Sequence, residues 1–199
     1  VSKIMSSFLL KEKIRYKVKA VKKKFYENND FILEAIGVRH TCPCLAFSFV
    51  EKQKRRINTE YLKKFNLKND PIIGKLQKGK DIVYKGKKIK VGDATRIVQG
   101  KKITYITDTT VTKECITIAK NSDILICEST FASNLKEKAR QYLHLTAEDA
   151  AIIAKKAKVK QLILTHVSQR YKDQSIFEKE AKKIFKNTLL AKDFMTITL

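Results

Sequence analysis

Five residues carry the chemistry this sequence offers, and four of them follow apolar runs of strand length. His40 comes just after the run 31–38, Asp108 after 103–106, Glu128 after 124–127, and His166 directly after 161–165. In layered α/β folds the carboxyl ends of buried strands are where ligands and reacting groups collect, because the sheet fixes them while the loops leave them accessible. His40, Asp108 and His166 suit a hard or borderline metal ion, since neutral imidazole and carboxylate both bind such cations. Any one of these histidines alone would read as an ordinary structural side chain. The fifth residue, His144, precedes Thr146 and Asp149, whose spacing predicts a capping box opening a helix. At that place the helix dipole is expected to lower the imidazole's proton affinity.

The elements that must hold these residues belong to a chain of 199 residues with 43% hydrophobic content, enough for one domain with a substantial core. Disorder is excluded by the same figure. The formal charge of +23, from 43 basic and 20 acidic residues, is not the balanced ion-pair pattern of thermophiles and points to a polyanion, with nucleic acid as the expected partner. No secretory signal and no apolar run of membrane length is present, so a cytoplasmic, reduced protein is expected. Cys42 and Cys44 alternate with His40, but ligands at alternate positions of an extended segment do not readily converge on one ion.

In chain order, residues 3–10 read as a short helix, and residues 11–19 alternate as a strand with one basic face. Strands at 31–38 and 44–50 follow. Residues 52–90 form a basic insertion, with 14 lysines or arginines against Glu60, Asp70 and Asp81, and show no sustained core-forming period beyond a short helix near 60–65. Such an insertion between two strands is expected to serve function. Tyr84 to Lys88 reads as a hairpin turn leading back to the sheet, and Val111, Cys115, Ile118 and Ala119 as one face of a helix. Ser175 with Glu178 suggests a second capping box, and residues 194–199 read as a closing strand. The fold class is α/β.

Six segments in order then resemble a known family: VRHTCPCLAFSF, DPIIGKLQKG, ITDT, ICESTF, HLTAEDAA and LTHVSQRY. They are similar to the carboxyl-terminal part of ribonuclease Z, the endonuclease of precursor tRNA 3′ ends. The resemblance implies a partial metallo-β-lactamase fold, an αββα sandwich, with residues 1–199 as the carboxyl-terminal part of one domain and a flexible arm inserted at about 52–90. It implies zinc, two ions per complete site, with His40, Asp108 and His166 as ligands and Asp108 bridging. It implies that Glu128 and His144 form the pair that donates a proton to the leaving oxygen, and that Lys54, Arg55, Arg56, Gly74, Lys75, Lys78 and Gly79 belong to an arm that grips the tRNA. A homodimer without membrane attachment is the family's usual state. Asp70 stands where the family has glycine before the proline, so that turn is expected to differ. The family's first metal motif, His-x-His-x-Asp-His, is absent, and the three histidines here are already assigned. The chain is therefore expected to be a truncation, half of a split enzyme with a missing amino-terminal half, or a remnant that binds RNA without cutting it.

Overall fold

The computed structural model describes residues 20–199, so the helix and strand expected within 1–19 lie outside the described residues. Its centre is a seven-stranded mixed sheet. β1 (Lys23–Glu27), β2 (Phe31–Val38), β3 (Cys44–Glu51) and β8 (Lys102–Ile106) run antiparallel in turn. β9 (Ile124–Glu128), β10 (Gln161–Thr165) and β11 (Thr188–Leu190) continue parallel to β8, which gives the spatial order β1-β2-β3-β8-β9-β10-β11. Parallel neighbours require crossovers, and helices supply them: α4 (Lys113–Ala119) between β8 and β9, α5 (Lys136–Tyr142) and α6 (Ala147–Ala157) between β9 and β10, and α7 (Ser175–Ile184) before β11.

One face of the sheet is sealed by these helices. Ile106, Leu125, Cys127, Leu162 and Leu164 pack against Cys115, Ile153, Ala154 and Phe177 in one core cluster. The alanines of α6 allow its close approach, and its start is the capping box the spacing suggested, with Thr146 accepting from Asp149 N–H and Asp149 from Thr146 N–H. The opposite face is different. Pairing aligns Phe47 with Tyr105, Phe49 with Ile103 and Leu33 with Phe49, and none of these five belongs to the helix-packed cluster. Phe47, Phe49 and Tyr105 are 39%, 36% and 42% exposed. Aromatic side chains this open on central strands mark a surface built to be covered. Among the described residues there is thus one large sheet, helix-covered on one side, which is half of the layered sandwich.

The basic insertion is more ordered than its sequence suggested. β4 (Lys54–Ile57) pairs with β7 (Thr95–Val98) as a stem. Beyond it, α1 (Thr59–Lys63), α2 (Ile73–Gln77), the hairpin β5 (Ile82–Tyr84) with β6 (Lys87–Ile89), and α3 (Val91–Ala94) enclose Leu62, Leu67, Leu76, Ile82, Ile89 and Ala94. No single period links these apolar residues because each short element contributes one of them and Leu67 lies in a loop. The turn at Lys85-Gly86 is a hairpin as expected, with φ of 47° and 74°, but it belongs to the insertion and not to the central sheet. At the base of the stem Gly100 is required sterically: a Cβ there would lie 1.9 Å from the Glu51 carbonyl oxygen.

Two further expectations fail. Ser175 does not cap α7. Asp173 accepts from both Ser175 N–H and Ser175 Oγ, while Glu178 accepts from Leu190 N–H and Lys182 and so fastens β11 to the helix. The closing strand is Thr188–Leu190, which aligns with β10, and residues 194–199 form none. No helix among the described residues is long and apolar enough to cross a membrane.

Candidate functional site

The parallel strands deliver their carboxyl ends to one edge, and the chemistry gathers there. Asp108 follows β8, Glu128 ends β9 and His166 follows β10. Asp108 and His166 both hold left-handed backbone, at φ 48° and 59°. That conformation costs on the order of 1 kcal/mol for a residue with a Cβ and is concentrated at sites where geometry is imposed by function. It turns both side chains back over the strand ends, so that His166 Nε2 lies 3.6 Å from Asp108 Oδ1.

Glu128 is fully buried and saturated with donors. Its Oε1 accepts from Thr109 N–H at 2.6 Å, and its Oε2 from Thr130 Oγ1 at 2.7 Å and Leu145 N–H at 3.2 Å. His144 Nδ1 stands 3.0 and 3.1 Å from the two oxygens. Burial pushes this carboxyl up, but the bonds from His144, Thr109 and Thr130 together outweigh burial and hold it below the usual carboxylate range. The same bond raises the proton affinity of His144 against a smaller opposing effect of burial. The helix dipole of α6 was expected to lower it; a carboxylate in direct contact is the stronger field, and the dipole decays within a turn.

These bonds also fix which nitrogen each imidazole leaves open. Thr130 has one hydroxyl proton, and an ionised carboxylate accepts only, so that proton goes to Glu128. Thr130 Oγ1 must therefore accept from His166 Nδ1, at 2.9 Å. His144 Nδ1 donates to Glu128 and His40 Nδ1 to the Leu143 carbonyl at 3.2 Å. All three rings thus present an Nε2 that makes no hydrogen bond among the described residues, the state in which second-sphere partners prepare a histidine for a metal or for proton transfer. The carbonyl of Leu143 reaches His40 because Leu143 ends α5 in a left-handed turn.

As to metal, two overlapping groups have ligand atoms all within 4.8 Å of one another: His40, Asp108 and His144, and Glu128, His144 and His166. His40, Asp108 and His166 do not converge on one point. Asp108 instead lies within reach of each histidine, which is where a carboxylate serving two ions would stand, and the donor chemistry fits a borderline divalent cation. Cys42 and Cys44 are in neither group, and burial, then the neighbouring Cys42 thiol, push Cys44 up to about 11, which keeps it protonated. Beyond His144 a cavity of about 360 Å³ is lined by Thr130, Phe131, Lys138, Tyr142, Ser168 and Arg170. The Arg170 guanidinium lies 4.9 Å over the Phe131 ring and donates to Ser168 Oγ. Neither Thr130 nor this wall was visible in the sequence, where a threonine and scattered cations carry no distinguishing pattern.

In the insertion, Arg56, Lys75 and Lys78 are exposed. Lys54 pairs with Asp30 at 3.1 Å, and Arg55 donates to Thr95 Oγ1 at 2.9 Å, so both are engaged within the chain. Gly74 sits inside α2, and Gly79 follows it at φ 81°, a conformation that favours glycine. Asp70 replaces the glycine-type turn with a side-chain one, its Oδ1 accepting from Ile72 N–H at 2.9 Å.

The chain is similar to known proteins of one superfamily. Residues 90–167 match the β-lactamase superfamily domain. Ribonuclease Z of Archaeoglobus fulgidus is 38% identical over 174 residues, 84% of this chain and 56% of that protein. The ribonuclease Z of Nanoarchaeum equitans is 36% identical over 89% of this chain and 56% of its own length. The chain is a homologue of ribonuclease Z. It spans about half the length of these ribonuclease Z relatives. Among solved structures, the short form of human tRNase Z superposes with a TM-score of 0.54 at 24% identity, covering 88% of this chain and 46% of that one. The metallo-β-lactamase fold protein YhfI of Bacillus subtilis gives 0.54 at 18% identity, over 84% and 49%. Both similarities establish the metallo-β-lactamase fold.

Proposed function

We propose that the chain is the carboxyl-terminal part of a zinc-dependent endoribonuclease that removes the 3′ trailer of precursor tRNA. The observation that carries this is the fully buried Glu128 bonded to His144 at the edge where His40, Asp108 and His166 gather. A module that only binds RNA has no use for such a pair, since burying a carboxylate is costly unless it is fully bonded and put to work.

His40 with Asp108, and His166 with Asp108, would hold the metal ions, zinc in this reading, which would supply Lewis-acid polarisation of the scissile phosphate. A 3′ hydroxyl on the product tRNA requires the P–O3′ bond to break, with the water oxygen ending on phosphorus. His144 protonates the departing O3′ through its free Nε2. Glu128 holds the Nδ1 proton and, by raising the ring's proton affinity, keeps the acid loaded to higher pH. Arg56, Lys75 and Lys78 of the insertion contact tRNA phosphates, which gives affinity with little sequence reading. Three ligands do not complete a two-metal site, so further ligands come from a segment carrying the family's first metal motif, continuous with this chain or separate. That segment covers the open face at Phe47, Phe49 and Tyr105, and the assembled enzyme works as a cytoplasmic homodimer.

The test is cleavage of a precursor tRNA with a labelled trailer by the chain mixed with an amino-terminal fragment of a relative. His144→Ala is expected to reduce turnover by roughly 10²–10⁴-fold with tRNA affinity nearly unchanged. Equal losses in both would remove the acid role. No cleavage by the unsubstituted mixture, with tRNA binding intact, would favour the RNA-binding remnant.

A further inference from the structure

Cys42 and Cys44 take no part in that chemistry, yet they stand at its edge. Their sulfurs are 3.7 Å apart, Cys42 is exposed, and the loop they close is the one that carries His40. Cys42 lies in the bend at 40–42 and Cys44 opens β3, and this bend brings the two thiols together. The other two cysteines, Cys115 and Cys127, are fully buried. We propose that Cys42 and Cys44 are a redox-active pair that closes to an intrachain disulfide and, in closing, displaces His40.

The reaction balances with a low-molecular-weight disulfide as oxidant. The Cys42 sulfur attacks one sulfur of the small disulfide, forming a mixed disulfide and expelling one small thiol. With Cys42 in the mixed disulfide, its thiol no longer raises Cys44, and the Cys44 thiol gives its proton to solvent, attacks the Cys42 sulfur and expels the second small thiol. The protein pair loses two electrons and two protons, and the oxidant is reduced to two thiols. Cys42 is the accessible first nucleophile, and Cys44, half-buried behind it, is the resolving thiol.

Closure must move the loop because its two ends are fixed. Cys44 is tied into the sheet by its pairing with Val38, and the Arg39 carbonyl accepts from Thr110 N–H at 3.1 Å. A disulfide bond of about 2.05 Å shortens the 3.7 Å separation by roughly 1.6 Å, and the four residues His40 to Pro43 have to absorb it. His40 is the yielding point, since the 3.2 Å bond from its Nδ1 to the Leu143 carbonyl is its side chain's sole hydrogen bond among the described residues. If His40 is a metal ligand, as the proposed function has it, oxidation of the pair weakens the site reversibly.

The experiment needs neither metal nor RNA. The reduced chain is incubated with oxidised glutathione, digested for mass spectrometry and, in parallel, followed by the imidazole Cε1–H resonances of its three histidines. The expected result is a peptide with a Cys42–Cys44 disulfide, free thiols at Cys115 and Cys127, and a shift of His40 that dithiothreitol reverses, with His144 and His166 unmoved. Cys44→Ser should stop at glutathione on Cys42, and Cys42→Ser should leave His40 unshifted. Persistent glutathione on Cys42 of the unsubstituted chain, a Cys42–Cys42 dimer between chains, or a closed disulfide with His40 unmoved would each overturn the proposal.

Discussion

Replacing Glu128 with Gln probes the site most sharply, because the change is nearly isosteric and the environment has no room for a donor. The carboxylate faces Thr109 N–H, Leu145 N–H, the Thr130 hydroxyl and His144 Nδ1. An amide puts two N–H donors where one oxygen stood, so either Thr109, or Leu145 and Thr130, meets a donor in place of an acceptor. A buried unsatisfied group costs about 1–3 kcal/mol, and bonds to charged groups are at the strong end of that scale, so a loss of roughly 3 kcal/mol is expected near pH 6. The pH dependence gives the mechanism. Glu128 is depressed in the folded chain, so its contribution is present above the unfolded carboxyl pKa of about 4.3 and lost as pH falls through the folded value. His144 is raised, so its contribution is present below the unfolded value of about 6.5 and lost as pH rises through the folded one. The difference between the two proteins should therefore be largest at about pH 4.5–6.5 and shrink on the acid side. Urea unfolding of the metal-free proteins followed by circular dichroism across this range measures it. A histidine titration should show His144 losing its elevated proton affinity in the variant. A destabilisation of the same size at pH 3 and pH 6, or a His144 titration unchanged by the substitution, would refute the pairing as the source of stability.

Two predictions concern the insertion. Leu76→Ala removes a side chain that is fully buried in its small core and should cost about 2–5 kcal/mol, felt locally; hydrogen exchange should accelerate across 54–98 while β8, β9 and β10 keep their protection. Replacing Lys75 and Lys78 together with Ala should weaken tRNA binding across sequences and lower the slope of log affinity against log salt by about 2, read by fluorescence anisotropy at several salt concentrations; an unchanged slope would place the contacts elsewhere.

The residues that gather at the site were legible because buried parallel strands read as short apolar runs, and polar residues at their ends stand out against them. That contrast marks Asp108, Glu128 and His166, and the capping box at Thr146 places His144. Such signals are local, and they failed where the decisive partner was distant. Glu178 stands at the spacing of a capping residue but bonds to Leu190, twelve residues on. His144 was expected to respond to its own helix, and it responds to Glu128 on a neighbouring strand. The insertion hid its core because five short elements and a loop each bury one apolar side chain, and no period survives that division. By itself the sequence determined which carboxylates and imidazoles stand at strand ends, the net positive charge, and the strands near 31–38, 44–50, 103–106, 124–127 and 161–165. Only the tertiary structure decided which nitrogen of each histidine is free, that Thr130 joins Glu128 to His166, and that one sheet face lies open among the described residues. Those are relations between groups far apart in the chain, set by pairing register and backbone turns, and one-dimensional spacing does not contain them.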